Sequence, residues 1–307
     1  MTKSLSIVIP VYNESSNLAL MIHSIKNAMK GLDYTYTIIF VDDGSDDDSI
    51  NDIKSLASQH SEVSYISFSR NFGHQNALKA GFDMSHTDAV MCMDGDMQHP
   101  PAMIPQFLAL WEEGNDIVYS IRKDHLEIPK MKRKTSDMFY NLLNRLSSIE
   151  LEKGTADFRL LDKKVVDVLR DIKEHDLFWR GLVKWLGFKQ VAIEYDPAPR
   201  ASGRSKYNYK KMMELALKGI TSFSTKPLTI AIYLGFFCSL ISVLYVPYAF
   251  ISMYFGHVIS GWASIIMTIA FFGGIQLIIL GIIGIYLGKM FMQSKQRPHY
   301  IIRESNI

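Results

Sequence analysis

The chain has 307 residues, 48% of them hydrophobic, and carries 33 Lys and Arg against 31 Asp and Glu. A net charge of +2 is too small to argue for nucleic acid, and no basic stretch interleaves with aromatics to make a base-stacking surface. The length allows one soluble domain of roughly 220 residues, ample for its own core, plus a further segment.

The opening Met1-Thr2-Lys3-Ser4 shows no signal-peptide pattern and leads into Leu5-Ser6-Ile7-Val8-Ile9, a strand expected to break at Pro10. The polar loop Val11-Tyr12-Asn13-Glu14 follows, then a helix from about Ser15 to Met29. A second strand, Tyr36 to Val41, runs into Asp42-Asp43-Gly44-Ser45, with the next helix starting near Asp47. A third, Val63 to Phe68, ends at Arg70-Asn71-Phe72-Gly73-His74, and a fourth, Ala89 to Met93, ends at Asp94-Gly95-Asp96. Apolar strands alternating with helices, each emptying into polar residues at the same edge, predict a mostly parallel α/β sheet with one ligand crevice at its carboxyl ends. Asp94 and Asp96 at i and i+2 offer oxygen donors that suit Mg²⁺ or Mn²⁺ carrying a diphosphate, although an acidic turn has the same pattern. Cys92 falls in the fourth strand and Cys238 in a later apolar segment, so no disulfide is expected, which fits a reducing compartment.

From Pro227 to Gly288 the only residue that can carry charge is His257. A membrane span needs about 20 apolar residues, so this stretch predicts two: Leu228 to Tyr254 and Trp262 to Leu287, with a turn at Phe255 to Gly261. Pro247 is expected to kink the first. Lys218 and Lys226 precede the pair, Lys289, Lys295, Arg297 and Arg303 follow it, and the turn has neither Lys nor Arg. The positive-inside rule therefore places both termini and the soluble domain in the cytoplasm. Tyr207 to Thr225, with apolar residues interleaved with Lys210, Lys211 and Lys218, is expected to form an amphipathic helix on the membrane surface, or one packed on the domain.

In order, Pro10-Val11-Tyr12-Asn13-Glu14, Val41-Asp42-Asp43-Gly44-Ser45, Arg70-Asn71-Phe72-Gly73, Asp94-Gly95-Asp96-Met97-Gln98 and Gly154-Thr155-Ala156-Asp157-Phe158-Arg159 resemble family 2 glycosyltransferases of the GT-A fold. The resemblance extends to the polyprenyl-phosphate glycosyltransferases, including bactoprenol glucosyl transferases and dolichyl-phosphate mannose synthases, and covers nearly the whole chain.

The resemblance implies a cytoplasmic GT-A domain over residues 1–206, a juxtamembrane helix over 207–226, a two-helix transmembrane hairpin over 227–289 and a tail over 290–307. It implies a nucleotide-sugar pocket of Pro10, Tyr12, Glu14, Asp43, Asp94, Gly95 and Arg204, with Tyr12 flanking the base and Asp43 accepting a uracil imide hydrogen. Glu14 has an alternative use, capping the helix that follows it. The metal, Mg²⁺ or Mn²⁺, is expected on Asp94, Asp96 and Gln98. Asp157 matches the family's catalytic base, yet a phosphate monoester with its second pKa near 6 needs little deprotonation, so Asp157 is expected to align the acceptor as much as take a proton. Arg200, Arg204 and Lys206 are assigned to the diphosphate and the acceptor phosphate, and Arg133 and Ser136, beside Lys132 and Lys134, to guiding that acceptor. His175, Trp179 and Arg180 lie near where relatives shape the sugar pocket.

The implied reaction is inverting transfer of a hexose, first of all glucose from UDP-glucose, to polyprenyl phosphate at a bacterial inner membrane. UDP-N-acetylhexosamine, a UDP-aminoarabinose derivative and GDP-mannose are the alternative donors, and a non-catalytic scaffold or nucleotide-sugar sensor is the alternative of another class. Expected partners are the nucleotide sugar, polyprenyl phosphate, membrane lipid, a lipid flippase and a second copy of the chain.

Overall fold

The structure is a computed structural model, and it describes residues 2–123, 144–146, 152, 154–196, 219–255 and 261–307. Its centre is a sheet of β1 (Lys3–Val11), β2 (Tyr34–Asp42), β3 (Val63–Phe68), β4 (Ala89–Cys92), β5 (Ile117–Arg122), β6 (Thr155–Asp162), β7 (Gln190–Tyr195) and β8 (Ile302–Ser305). The order is β7-β5-β6-β4-β1-β2-β3-β8. Parallel pairing joins β4, β1, β2 and β3, and also β5 with β7, while β6 and β8 pair antiparallel with their neighbours. β1 to β5 and β7 therefore run the same way, as expected, and the reversed β6 and β8 make the sheet mixed.

The four strands legible as apolar runs have both faces covered, which is why their buried stretches are apolar on successive residues. Leu5, Ile7, Ile9, Ile38, Phe40, Ala89 and Met91 face one core layer, under α1 (Leu18–Met29) and α4 (Ile104–Glu112). Val8, Ile39, Val41, Val90 and Cys92 face the other, with α3 (His74–Met84), α5 (Lys163–Asp171) and α6 (Trp179–Trp185). The α1 face buries Leu18, Met21, Ile22, Ile25 and Met29, each worth about 1.5–3 kcal/mol of apolar burial. Between β2 and β3, α2 (Ser49–Gln59) turns Ile53 into the first layer.

The strand expected to break at Pro10 continues to Val11. Val8 turns its carbonyl toward β4, where Met93 N–H donates to it at 3.1 Å, so Pro10 turns the same way. The β4 pairing ends at Val8 opposite Cys92, and a residue without an N–H costs nothing there.

Two long helices follow the domain, α7 (Lys226–Tyr254) and α8 (Trp262–Ser294). Among the described residues one helical stretch, Ile265–Ser294, is long and apolar enough to cross a membrane, and none of its most apolar window is buried within the protein. The apolar portion of α7, Lys226–Ile241, is shorter, so of the two expected spans the first, Leu228 to Tyr254, is not established. α8 starts at the predicted Trp262 but runs past Leu287 to Ser294. Lys289 and Gln293 end an apolar run without ending a helix, and they fasten it to the domain: Lys289 pairs with Asp176 at 3.4 Å, and Gln293 bonds the backbone of His175 and Lys173. Of the predicted juxtamembrane helix, 219–223 are helical and 207–218 lie outside the described residues, as does most of the turn.

Candidate active site

Strand order reverses between β1 and β4, and in open α/β sheets the crevice at such a switch point receives ligands. The loop after β1 is laced to the loop after β2. Asp43 N–H donates to Val11 carbonyl at 2.9 Å, Asn13 N–H to Ser45 Oγ at 3.1 Å, Asp46 N–H to Asn13 Oδ1 at 2.9 Å and Glu14 N–H to Ser49 Oγ at 3.0 Å. Asn13 takes a positive φ of 58° to make this turn. Tyr12 projects with its ring 38% exposed, and its hydroxyl reaches Asp46 at 3.3 Å. The Glu14 side chain makes no capping bond to the helical turn at Ser15–Asn17 and accepts instead from the Asn17 amide at 2.6 Å.

Asp43 is buried and takes the Phe72 N–H at 2.6 Å and the Gly73 N–H at 2.9 Å, so it clasps the start of α3. Burial raises its pKa, while those two donors and His74 oppose the rise. Gly44 makes the approach possible. It holds φ +67°, and a Cβ there would lie 2.5 Å from the Arg70 carbonyl carbon. Gly44→Ala is expected to cost about 2–3 kcal/mol, read as a lower Tm in detergent together with weaker nucleotide binding.

At the end of β4, Asp94 and Asp96 are half-buried, and Gly95 between them lies against Pro10, whose carbonyl oxygen would be 3.1 Å from an added Cβ. Asp96 Oδ1 accepts the Gln98 N–H at 3.1 Å, and Met97 carries the positive φ of 62° that this short turn requires. His99, buried and stacked on Phe158, accepts the Asp94 N–H on Nδ1 at 2.9 Å. A neutral ring so held carries its proton on Nε2, which faces Asp94 Oδ2 at 3.6 Å. No group of three His, Cys, Asp or Glu among the described residues is arranged to hold an ion. The fit is to a cation that needs only one or two carboxylates and completes its shell with substrate phosphates and water, which is how Mg²⁺ is usually held.

Asp157 lies inward on β6, buried with Arg159. Arg159 Nη2 donates to its Oδ1 at 3.1 Å, and Arg180, from the first turn of α6, donates through Nη2 and Nε to Oδ2 at 2.9 and 3.2 Å. His74 Nε2 stands 3.5 Å from Asp94 Oδ1 and 3.9 Å from Asp157 Oδ2, joining the two carboxylates. Burial alone would raise the Asp157 pKa, but Arg180, then Arg159 and His74, overcome it and hold the carboxyl well below the usual range. It is a carboxylate at every working pH, and a poor base.

The sign of its linkage follows. A depressed folded-state pKa contributes stability that is complete above the unfolded value of about 3.9 and is lost as pH falls toward the folded value. Asp157→Asn is expected to unfold at a lower temperature than wild type at pH 7, with the gap narrowing below about pH 4. A gap that widens in acid contradicts the ion-pair account.

Of the residues expected at the site, Pro10, Tyr12, Glu14, Asp43, Asp94, Gly95, Asp96, Gln98 and Asp157 all lie on β1, β2, β4 and β6 or the segments that follow them. Arg133, Ser136, Arg200, Arg204 and Lys206 lie outside the described residues. Sequence reasoning gave no role to His74 or His99, though each directly follows a quoted motif. It placed Arg180 near the sugar and missed its tie to Asp157, for which 23 residues of separation leave no local signal.

Residues 6–170 match the glycosyl transferase family 2 model. The protein is 39% identical over 300 residues to the bactoprenol glucosyl transferase of Shigella phage SfV, covering 97% of this chain and 98% of that one. It is 40% identical over 301 residues to an uncharacterised glycosyltransferase, YkcC, of Bacillus subtilis, covering 98% and 93%. Among solved structures it resembles the mannosyltransferase PcManGT of Pyrobaculum calidifontis, in complex with GDP-Man and Mn²⁺, with a TM-score of 0.50 and 12% identity over 72% of this chain and 64% of that one, a likeness of fold. The mixed α/β sheet is of the GT-A type, and the family model with these relatives makes the chain a glycosyltransferase. The chain belongs to glycosyl transferase family 2, and along nearly its full length it is similar to bactoprenol glucosyl transferases.

Proposed function

We propose that this glycosyltransferase moves glucose from UDP-glucose to the phosphate of polyprenyl (undecaprenyl) phosphate at the cytoplasmic face of a bacterial inner membrane. The observation that carries the reading is the Asp157 carboxylate, pinned by Arg159 and Arg180 and reaching through His74 toward Asp94. A fixed carboxylate that hardly takes a proton suits an acceptor that is already ionised. The similarity to bactoprenol glucosyl transferases supports a lipid phosphate as that acceptor and glucose as the sugar.

In this reading an acceptor phosphate oxygen attacks the anomeric carbon in line, the bond from that carbon to the diphosphate breaks, and an α-linked donor gives a β-linked glycosyl phosphate. Asp157 orients Arg180 and, with it, the incoming phosphate. Asp94 and Asp96, with Gln98, would hold Mg²⁺ or Mn²⁺, which supplies charge stabilisation to the leaving diphosphate. Pro10, Tyr12, Glu14, Asp43 and Gly95 form the nucleotide pocket, Tyr12 flanking the base. Asp43 serves it both by holding the α3 loop and by the acceptor capacity its two N–H bonds leave. Arg204 acts on the diphosphate, and Arg133, Ser136, Arg200 and Lys206 on the acceptor phosphate. α7 and α8 together anchor the chain as two spans with both termini cytoplasmic. A flippase then carries the lipid-linked sugar across for use at the cell surface.

The test is transfer of labelled sugar by the detergent-solubilised full chain with Mg²⁺ or Mn²⁺, supplied in turn with UDP-glucose, UDP-N-acetylhexosamine, a UDP-aminoarabinose derivative and GDP-mannose. Lipid-linked product from UDP-glucose is expected. Product from another donor alone corrects the sugar, and nucleotide binding without turnover on any donor contradicts the catalytic reading.

A further inference from the structure

Beside the crevice lies a cleft of about 460 Å³ between the start of α3 and the segment that leaves α8, lined by Arg70, His74, His175, Asp176, Arg297 and His299 among others. Four separate parts of the chain bring these groups together: the β3–α3 loop, the α5–α6 loop, the end of α8 and the approach to β8. Asp176 is paired with Lys289, which leaves the two guanidinium groups to set the sign of the cleft. Arg70 is held in place, its guanidinium 4.1 Å above the Phe72 ring and bonded to the Asn71 carbonyl at 3.1 Å. Burial, with Lys79 and His175, lowers the His299 pKa, so that ring stays neutral and offers one donor nitrogen.

Two continuities give the cleft a direction. At one end His74 is also the residue that faces Asp94 and Asp157. At the other, the cleft shares His175, Asp176 and Met292 with a larger space of about 790 Å³ that runs along Ile285, Tyr286 and Gly288 on α8. An apolar helix surface thus leads through a cationic cleft to the pinned carboxylate.

We propose that this cleft receives the phosphate of a lipid phosphomonoester acceptor, whose chain lies along α8, and delivers it to the crevice at His74. Arginine suits the task because its planar fork matches phosphate oxygens and stays charged. The inference rests on the lipid-phosphate reading above and adds where the acceptor enters.

The experiment uses the full chain in detergent, a short-chain polyprenyl phosphate and the donor that turns over, with Arg70→Gln and Arg297→Gln. Each variant is expected to raise the KM for lipid phosphate about tenfold, the scale of one charge-assisted hydrogen bond. The donor KM and the kcat at saturating acceptor should stay within about twofold. Arg303→Gln, on the same tail as Arg297 and with its guanidinium bonded to the Ser69 carbonyl after β3, reports any general effect of disturbing β8 and should leave the acceptor KM unchanged. Excess inorganic phosphate or phosphatidylglycerol should compete only weakly. An unchanged acceptor KM in both cleft variants overturns the proposal, as does equal competition by phosphatidylglycerol, which would make the cleft a general anionic-lipid site. Wild type with no lipid-phosphate transfer at all overturns the underlying function instead.

Discussion

Asp157→Asn is expected to lower kcat for transfer by about 10²–10³-fold, the usual scale for losing a preorganised charge at a reacting centre. The reason is not the loss of a base. Arg159 is buried with its Nε unbonded among the described residues, and Asp157 is its neutralising partner. Removing the charge leaves Arg159 uncompensated and takes from Arg180 the carboxylate it bonds, at a cost to stability of about 3–5 kcal/mol. The two effects are separable. A structural role alone would lower Tm and leave kcat of the folded fraction intact, whereas an orienting role lowers kcat at temperatures where the variant is fully folded. The pH profile gives a second reading. With Asp157 ionised throughout, the acid limb should follow the acceptor, falling as pH drops through about 6 and the phosphate becomes a monoanion. An acid limb that disappears in Asp157→Asn would restore Asp157 as the base.

Asp96→Asn is the second large effect. With one of only two carboxylates at the end of β4 neutralised, transfer is expected to fall by about 10²–10³-fold and the Mn²⁺ concentration for half-maximal activity to rise more than tenfold. Calorimetry of UDP binding across a Mn²⁺ titration separates this from misfolding, because the variant should still bind nucleotide weakly with the metal absent. Asp94→Asn should differ in kind: Asp94 also faces His74 and His99, so its loss disturbs the link to Asp157 as well. Equal Mn²⁺ dependence in wild type and Asp96→Asn would remove Asp96 from the metal.

The sequence revealed half the sheet, and the other half was hidden for physical reasons. β1 to β4 are apolar on both faces and stand out as runs. β6 carries Asp157 and Arg159 into the interior, a buried ion pair that spoils the apolar signature of a strand, and β8 is four residues, only the first apolar, that owe their conformation to the β3 edge. The same ion pair explains the incomplete site. The carboxylates lie in short local motifs, but what fixes their charge comes from elsewhere: Arg180 from a helix start, His74 from the β3 loop and His99 from the turn after Asp96. At the membrane end, composition located the start of α8, while its end depended on contacts of Lys289 and Gln293 that no hydropathy pattern contains.

The most direct test compares polyprenyl phosphate with polyprenol as acceptor for the purified protein, under identical donor and metal. An acceptor oriented by a carboxylate too acidic to take its proton predicts glycosyl phosphate lipid from the first and none from the second. Comparable transfer to the alcohol would require a working base and would contradict the account.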